Sequence, residues 1–157
     1  MHIINLAAEP EHIPTLAAWH HLEWAHLNPG GTLEKRMAQM QRYLADGLPP
    51  STFVCKYGGQ LAGSAALVEC DMDTHPELTP WLASVFVAPA FRRRGLGGEL
   101  VKHAMRQAEL AGIRSLYLFT PDRAAFYRKL GWQTVSEEDY RACAVTVMRA
   151  ELERSNP

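Results

Sequence analysis

The segment Val85-Phe86-Val87-Ala88-Pro89-Ala90-Phe91-Arg92-Arg93-Arg94-Gly95-Leu96-Gly97-Gly98-Glu99-Leu100 passes from an apolar run, through a basic and glycine-rich turn, into a helical pattern. The run begins at Trp81 and is bounded by Pro80 and Pro89, as expected of a buried strand spanning residues 81 to 88. Beyond the turn, Leu100, Val101, Ala104, Ala108 and Ala111 keep helical spacing as far as Gly112. A strand, a loop and a helix are therefore contiguous. A helix N-terminus carries unpaired N–H groups and a partial positive charge, so glycines placed there let backbone amides close around an anion. Gly95, Gly97 and Gly98 meet that need, and Arg92, Arg93 and Arg94 add charge suited to a pyrophosphate.

Glycine content alone does not make a site, because the same residues can start an ordinary helix beside a solvated arginine patch. Two nucleotide loops are excluded by spacing. A Gly-x-Gly-x-x-Gly turn begun at Gly95 would require glycine where the chain has Leu100, and no Gly-Lys-Ser or Gly-Lys-Thr follows.

Further along, Ser115 to Phe119 is a short apolar strand that a helix separates from the strand at 81–88, so the two should run parallel. Pro121 and Asp122 open a short helix ending near Leu130-Gly131. Two strands, Trp132 to Val135 and Ala142 to Met148, then flank an acidic turn at Glu137-Glu138-Asp139. In the other direction, the strands 52–57 and 60–70 meet at Gly58-Gly59, a dipeptide suited to a tight antiparallel hairpin. A polar loop from Asp71 to Pro80 separates that hairpin from the strand at 81–88.

Two helices precede the hairpin. In the first, which follows a short apolar strand at 3–6 and has Pro10 in its first turn, residues Ile13, Leu16, Ala17, His20, Trp24 and Leu27 form one stripe that stops at Asn28-Pro29-Gly30-Gly31. Thr32 caps the second, where Leu33, Met37, Met40 and Leu44 share a face and Gly47 with Pro49-Pro50 closes the helix.

In this order of elements, Val85 to Pro89 followed by Arg92-x-x-Gly95-x-Gly97 resembles the acyl-CoA loop of the GNAT N-acetyltransferase superfamily, whose pattern is Gln or Arg, two residues, Gly, one residue, Gly or Ala. A second segment, Phe126-Tyr127-Arg128-Lys129-Leu130-Gly131, is similar to the family's phenylalanine-tyrosine, two residues, leucine-glycine motif. The resemblance covers residues 50 to 135 firmly and the rest by element order. It implies an α+β fold with a central mixed sheet of about seven strands, one parallel pair of them splayed, flanked by about four helices in a single domain over residues 1–157. It further implies acetyl-CoA as co-substrate and no metal. Phe86 and Val87 would offer backbone groups to the pantetheine arm, Arg92 through Gly98, including Leu96, would hold the pyrophosphate, and Tyr127 would lie near the thioester sulfur.

Attack of an amine on a thioester needs a neutral nitrogen, a donor for the carbonyl oxygen and a proton for the leaving thiolate. A phenol of pKa about 10 suits the last role, which points to Tyr127 as the catalytic acid. A backbone N–H near Phe86 or Val87 suits the oxyanion. No carboxylate stands at Leu82-Ala83-Ser84, where relatives often carry one, so Glu69, Asp71, Asp73, His75 and Glu23 are the candidates for a general base. Trp19, Trp24 and the loop Thr74 to Glu77 are candidates to shape the acceptor pocket. The expected acceptor is a primary amine of a small molecule or peptide, and the alternative is a non-catalytic acyl-CoA sensor of the same fold.

Composition narrows the partners. Sixteen basic against seventeen acidic residues leave a net charge of −1, so no global field draws the chain to nucleic acid or an anionic membrane. No apolar stretch approaches the roughly 18 residues that span a bilayer, and residues 1 to 5 lack the charged and apolar pattern of a leader, which together give a cytoplasmic expectation. Cys55, Cys70 and Cys143 are widely spaced without a Cys-x-x-Cys pair, and His20, His21 and His26 do not share a helix face, so neither set suggests a metal site. A homodimer is compatible with all of this.

Overall fold

The computed structural model describes residues 1–44 and 49–152. Seven strands form one sheet: β1 (His2–Asn5), β2 (Ser51–Tyr57), β3 (Gln60–Val68), β4 (Trp81–Val87), β5 (Ser115–Thr120), β6 (Gln133–Tyr140) and β7 (Cys143–Glu151). Their spatial order is β1-β2-β3-β4-β5-β7-β6. Four α-helices accompany them among the described residues, α1 (Ile13–Trp24), α2 (Leu33–Arg42), α3 (Leu96–Leu110) and α4 (Ala124–Lys129).

Strand periodicity divides the core. Phe53 and Cys55 on β2 pack with Leu96, Leu100, Val101, Ala104 and Ala108 of α3. Val54 between them packs instead with Ile13, Leu16 and Ala17 of α1 and Met40 of α2. Helices thus cover both faces of β2, which is why its first five residues are all buried rather than alternating.

Every neighbouring pair of strands is antiparallel except β4 and β5, which the α3 crossover makes parallel, as the spacing of the sequence implies. These two are held together at one bridge, Trp81↔Tyr117, supported by a bond from Tyr117 N to Pro80 O of 3.1 Å. Beyond that bridge β4 runs on to Val87 and β5 to Thr120 without pairing, so a wedge opens between them. On its other edge β4 stays paired with β3, through a bulge between Ser64↔Phe86 and Ala66↔Ala83. Ser84, inside this bulge, has φ 55°, a left-handed conformation rare for a residue with a side chain.

Close approach of β3 and β4 explains Gly63. A Cβ there would lie 2.5 Å from the Phe86 carbonyl oxygen and 3.1 Å from Leu100 Cδ1. Gly63→Ala must displace backbone where β3 meets β4 at the open end of the wedge, and a destabilisation of about 1–3 kcal/mol is expected. A lowered urea midpoint at unchanged slope would show it; an unshifted midpoint would mean that the strands part freely.

The structure corrects three boundaries. The acidic residues Glu137, Glu138 and Asp139 are not a turn but part of β6, and the turn is Arg141-Ala142, both with positive φ. Charge misled the reading because β6 is an edge strand, where outward-facing carboxylates are tolerated and guard against further pairing. Pro10 does not sit in α1; it opens a 3-10 turn, Pro10–His12, that leads into α1 at Ile13. The strand at 60–70 ends at Val68. Thr32 does cap α2, accepting a bond from Lys35 N at 3.1 Å, whereas Gly47 lies outside the described residues. No helix among the described residues is long and apolar enough to cross a membrane.

Candidate functional site

A cavity of about 1200 Å³ runs along the wedge. It extends from the start of α3, past β4 and the end of β5, to the space between α1, α2 and the loop after β3.

At one end lies the glycine turn. Gly95 is the N-cap of α3 with φ 76°, a conformation that glycine adopts without steric penalty, and no side chain caps the helix. The first intrahelical bond there runs from Glu99 N to Gly95 O, so the amides of the preceding turn have no partner within the helix. Arg92, Arg93, Gly95, Leu96, Gly97 and Gly98 all line the cavity. Arg94 does not: its guanidinium lies 5.0 Å from the Tyr57 ring centroid and donates to the Tyr57 hydroxyl at 3.3 Å.

Along β4, hydrogen-bonded and non-bonded pairs alternate. Ala88 N donates to Ala62 O at 2.8 Å, which puts the backbone groups of Phe86 on the β3 side and those of Val87 on the wedge side. The Val87 carbonyl accordingly accepts from Arg92 Nε at 2.9 Å. Phe86 lines the cavity with its ring, which contacts Trp19, His20 and Trp24 and has the Arg92 guanidinium 5.7 Å from its centroid.

Tyr127, from α4, closes the wedge from the β5 side. Its ring is buried between Phe126, at 5.0 Å, and Trp132, at 6.1 Å. Among the described residues nothing accepts a hydrogen bond from its hydroxyl, although the residue lines the cavity. Burial pushes its pKa up to about 12, against the smaller opposing effect of Arg123, so it is a protonated phenol throughout the neutral range.

The far end holds a network that sequence reading missed. His20 is buried; its Nδ1 lies 2.8 Å from Arg36 NH2 and its Nε2 2.8 Å from Ser64 Oγ. An arginine can only donate, so Nδ1 accepts and the ring proton sits on Nε2. Ser64 Oγ passes its own proton to Ser84 O at 2.8 Å, and Arg36 NH2 also donates to Ser84 Oγ at 2.8 Å. Burial, with Arg36 beside it, holds the His20 pKa well below the usual histidine value, so the imidazole is neutral. The network ties α1 and α2 to the strained bulge of β4. Two signals were present: a histidine on the apolar stripe of α1, and an arginine one turn before Met40 on the buried face of α2.

The five candidate bases separate cleanly. Glu69 is exposed and does not line the cavity, Asp73 pairs with Arg141 at 3.2 Å, and His75 is held between Glu77 at 2.9 Å and Glu138 at 2.7 Å. Glu23 and Asp71 remain on the cavity wall. Of the acceptor-pocket candidates, Trp24 lines it, while Trp19 and the loop Thr74 to Glu77 do not.

Comparisons with known proteins find the same fold. A family model described as "Acetyltransferase (GNAT) family" matches residues 14–132. Among solved structures, yncA of Salmonella typhimurium, solved with its cofactor acetyl-CoA, superposes with a TM-score of 0.73 at 18% identity, covering 100% of this chain and 96% of that one. Ribosomal-protein-alanine N-acetyltransferase from Brucella melitensis gives 0.77 at 19% identity over 97% and 100%. An aminoglycoside 6′-N-acetyltransferase complexed with coenzyme A gives 0.74 at 15% identity over 100% of both chains. A sequence search of curated proteins finds no match.

Proposed function

The chain belongs to the acetyltransferase (GNAT) family, and from that premise we propose that it transfers the acetyl group of acetyl-CoA to a primary amine of a small molecule or peptide, by direct attack within a ternary complex. One observation carries the reading: a single cavity joins a helix N-terminus with no side-chain cap, a splayed strand edge and a phenol without a hydrogen-bond partner among the described residues.

The three parts fit three parts of the donor. Amides at the start of α3, with Arg92 and Arg93, suit the pyrophosphate. The wedge-side backbone of Val87, and of Val85 two residues back, suits an extended amide-bearing arm added beside β4 in the manner of a strand. Tyr127, on the wall of the same cavity, suits the thioester sulfur. Its hydroxyl donates to the sulfur as the carbon–sulfur bond breaks, and an amide of β4 on the wedge side stabilises the carbonyl oxygen.

Release of free thiol from acetyl-CoA, measured against alkylamines, amino acids, an aminoglycoside and a peptide with a free N-terminus, tests the proposal. Thiol release that depends on the amine, with the acetylated amine identified by mass, is expected. Calorimetric binding of acetyl-CoA without turnover on any of these amines would favour a non-catalytic sensor instead.

A further inference from the structure

We propose that Asp71 receives the acceptor amine as its ammonium and takes the first proton from it, serving as the general base that the β4 sequence lacks. The proposal rests on the acetyltransferase reading above and adds the acceptor half of the reaction to it.

Asp71 follows β3 and shares the cavity wall with Ser84 and Tyr127. It is half-buried, yet among the described residues its carboxylate makes no hydrogen bond and no ion pair. Its oxygens are not sealed off from the cavity, so a ligand that enters can supply the donor that the described residues do not. A protonated amine does so, bringing both charge and N–H groups.

Surrounding charge tunes the group. Arg36 approaches from α2 and Arg141 from the turn between β6 and β7, and both favour the ionised carboxylate. Neither bonds to it among the described residues. Arg36 donates to His20 and Ser84 through NH2 and to Gln39 through NH1 at 2.7 Å, and its buried Nε is without a partner. Arg141 is committed to Leu27 O at 2.8 Å, Asn28 at 3.0 Å and Asp73 at 3.2 Å. Among the other groups, Tyr140 of β6 has its hydroxyl on Asp73 at 3.3 Å, the Tyr43 hydroxyl accepts from Gln39 Nε2 at 3.0 Å, and His20 of α1 is neutral. Desolvation outweighs the two arginines and pushes the Asp71 pKa up to about 6. The group is thus largely ionised at neutral pH and far more basic than an ordinary aspartate of about 3.9.

One ammonium proton passes to the Asp71 carboxylate, leaving a nitrogen lone pair. That pair forms the carbon–nitrogen bond while the carbon–sulfur pair leaves with sulfur, which takes the Tyr127 proton. A second N–H proton, lost as the amide forms, restores Tyr127 through solvent, and Asp71 returns its proton to solvent when the products depart.

Two variants test this, read as kcat/KM against pH with each amine that the wild type acetylates. Wild type is expected to lose activity as pH falls through about 6. Asp71→Asn should lower the neutral-pH value by roughly 10²-fold or more and abolish that acid limb, with acetyl-CoA affinity unchanged by calorimetry. Arg141→Gln, which removes one cation facing the carboxylate, should move the limb to higher pH, and it keeps the test decisive should Asp71→Asn fail to fold. A wild-type limb retained in Asp71→Asn, or unmoved in Arg141→Gln, would overturn the assignment alone. Absence of turnover by the wild type would overturn it together with the acetyltransferase reading.

Discussion

Tyr127→Phe is expected to lower kcat by about 10²-fold or more while leaving the affinity for acetyl-CoA intact. Removing the hydroxyl takes away a proton donor but no packing, because the ring contacts with Phe126 and Trp132 do not involve the oxygen. No structural hydrogen bond is lost either, since none is made among the described residues. The fold should therefore tolerate the change, and an unaltered melting temperature is part of the expected result. A phenol whose pKa stands at about 12 stays protonated at every working pH, so its ionisation adds no alkaline limb to the rate profile. The deficit in the variant should accordingly be the same across the neutral range. That flatness separates Tyr127 from Asp71, whose contribution must fade as pH falls through about 6. Steady-state thiol release by the two proteins at several pH values decides the matter: a kcat close to wild type would remove Tyr127 from the chemistry and leave it as a wall of the cavity.

The end of the cavity that the proposed function gives to the donor could be located in the sequence because it is local. Residues 81 to 112 build a strand, a glycine-rich turn and a helix from consecutive positions, so spacing alone carries the geometry, and the Phe126 to Gly131 segment adds a second local mark. The far end of the cavity is not local. His20, Arg36, Ser64 and Ser84 come from four different elements, and only their hydrogen bonds join them. A single chain read without relatives can show that a histidine interrupts an apolar stripe; it cannot show which arginine will reach that histidine. The same limit applies to Asp71, which composition does not distinguish from Glu69 or Asp73 until the fold turns one toward the cavity and the others to solvent or to Arg141. Arg94 marks the reverse error. Three adjacent arginines look equivalent in sequence, but the backbone around Arg93 and Gly95, both at positive φ, sends the third toward Tyr57.

Gly97→Asp should weaken acetyl-CoA binding by about 3–4 kcal/mol, two to three orders of magnitude in Kd. A Cβ on Gly97 would meet Phe126 Cζ and Val87 Cγ2 at 3.7 Å, ordinary contact distances, so the helix accepts a side chain without displacing its neighbours. A carboxylate in the first turn of α3 even favours the unliganded protein, by about 0.3–1 kcal/mol through the helix dipole. The variant should therefore be as stable as the wild type, or more so, while a negative group occupies the amides that a pyrophosphate requires. These opposite signs make the result specific, since a merely misfolded protein would lose both stability and binding. Gly97→Asn divides the effect into size and charge. It should bind acetyl-CoA more tightly than Gly97→Asp, and the gap between the two should narrow as salt screens the repulsion. Calorimetric titration of all three proteins at low and high ionic strength measures each term, and an affinity for Gly97→Asp equal to that of the wild type would mean that the pyrophosphate is held elsewhere than at the start of α3.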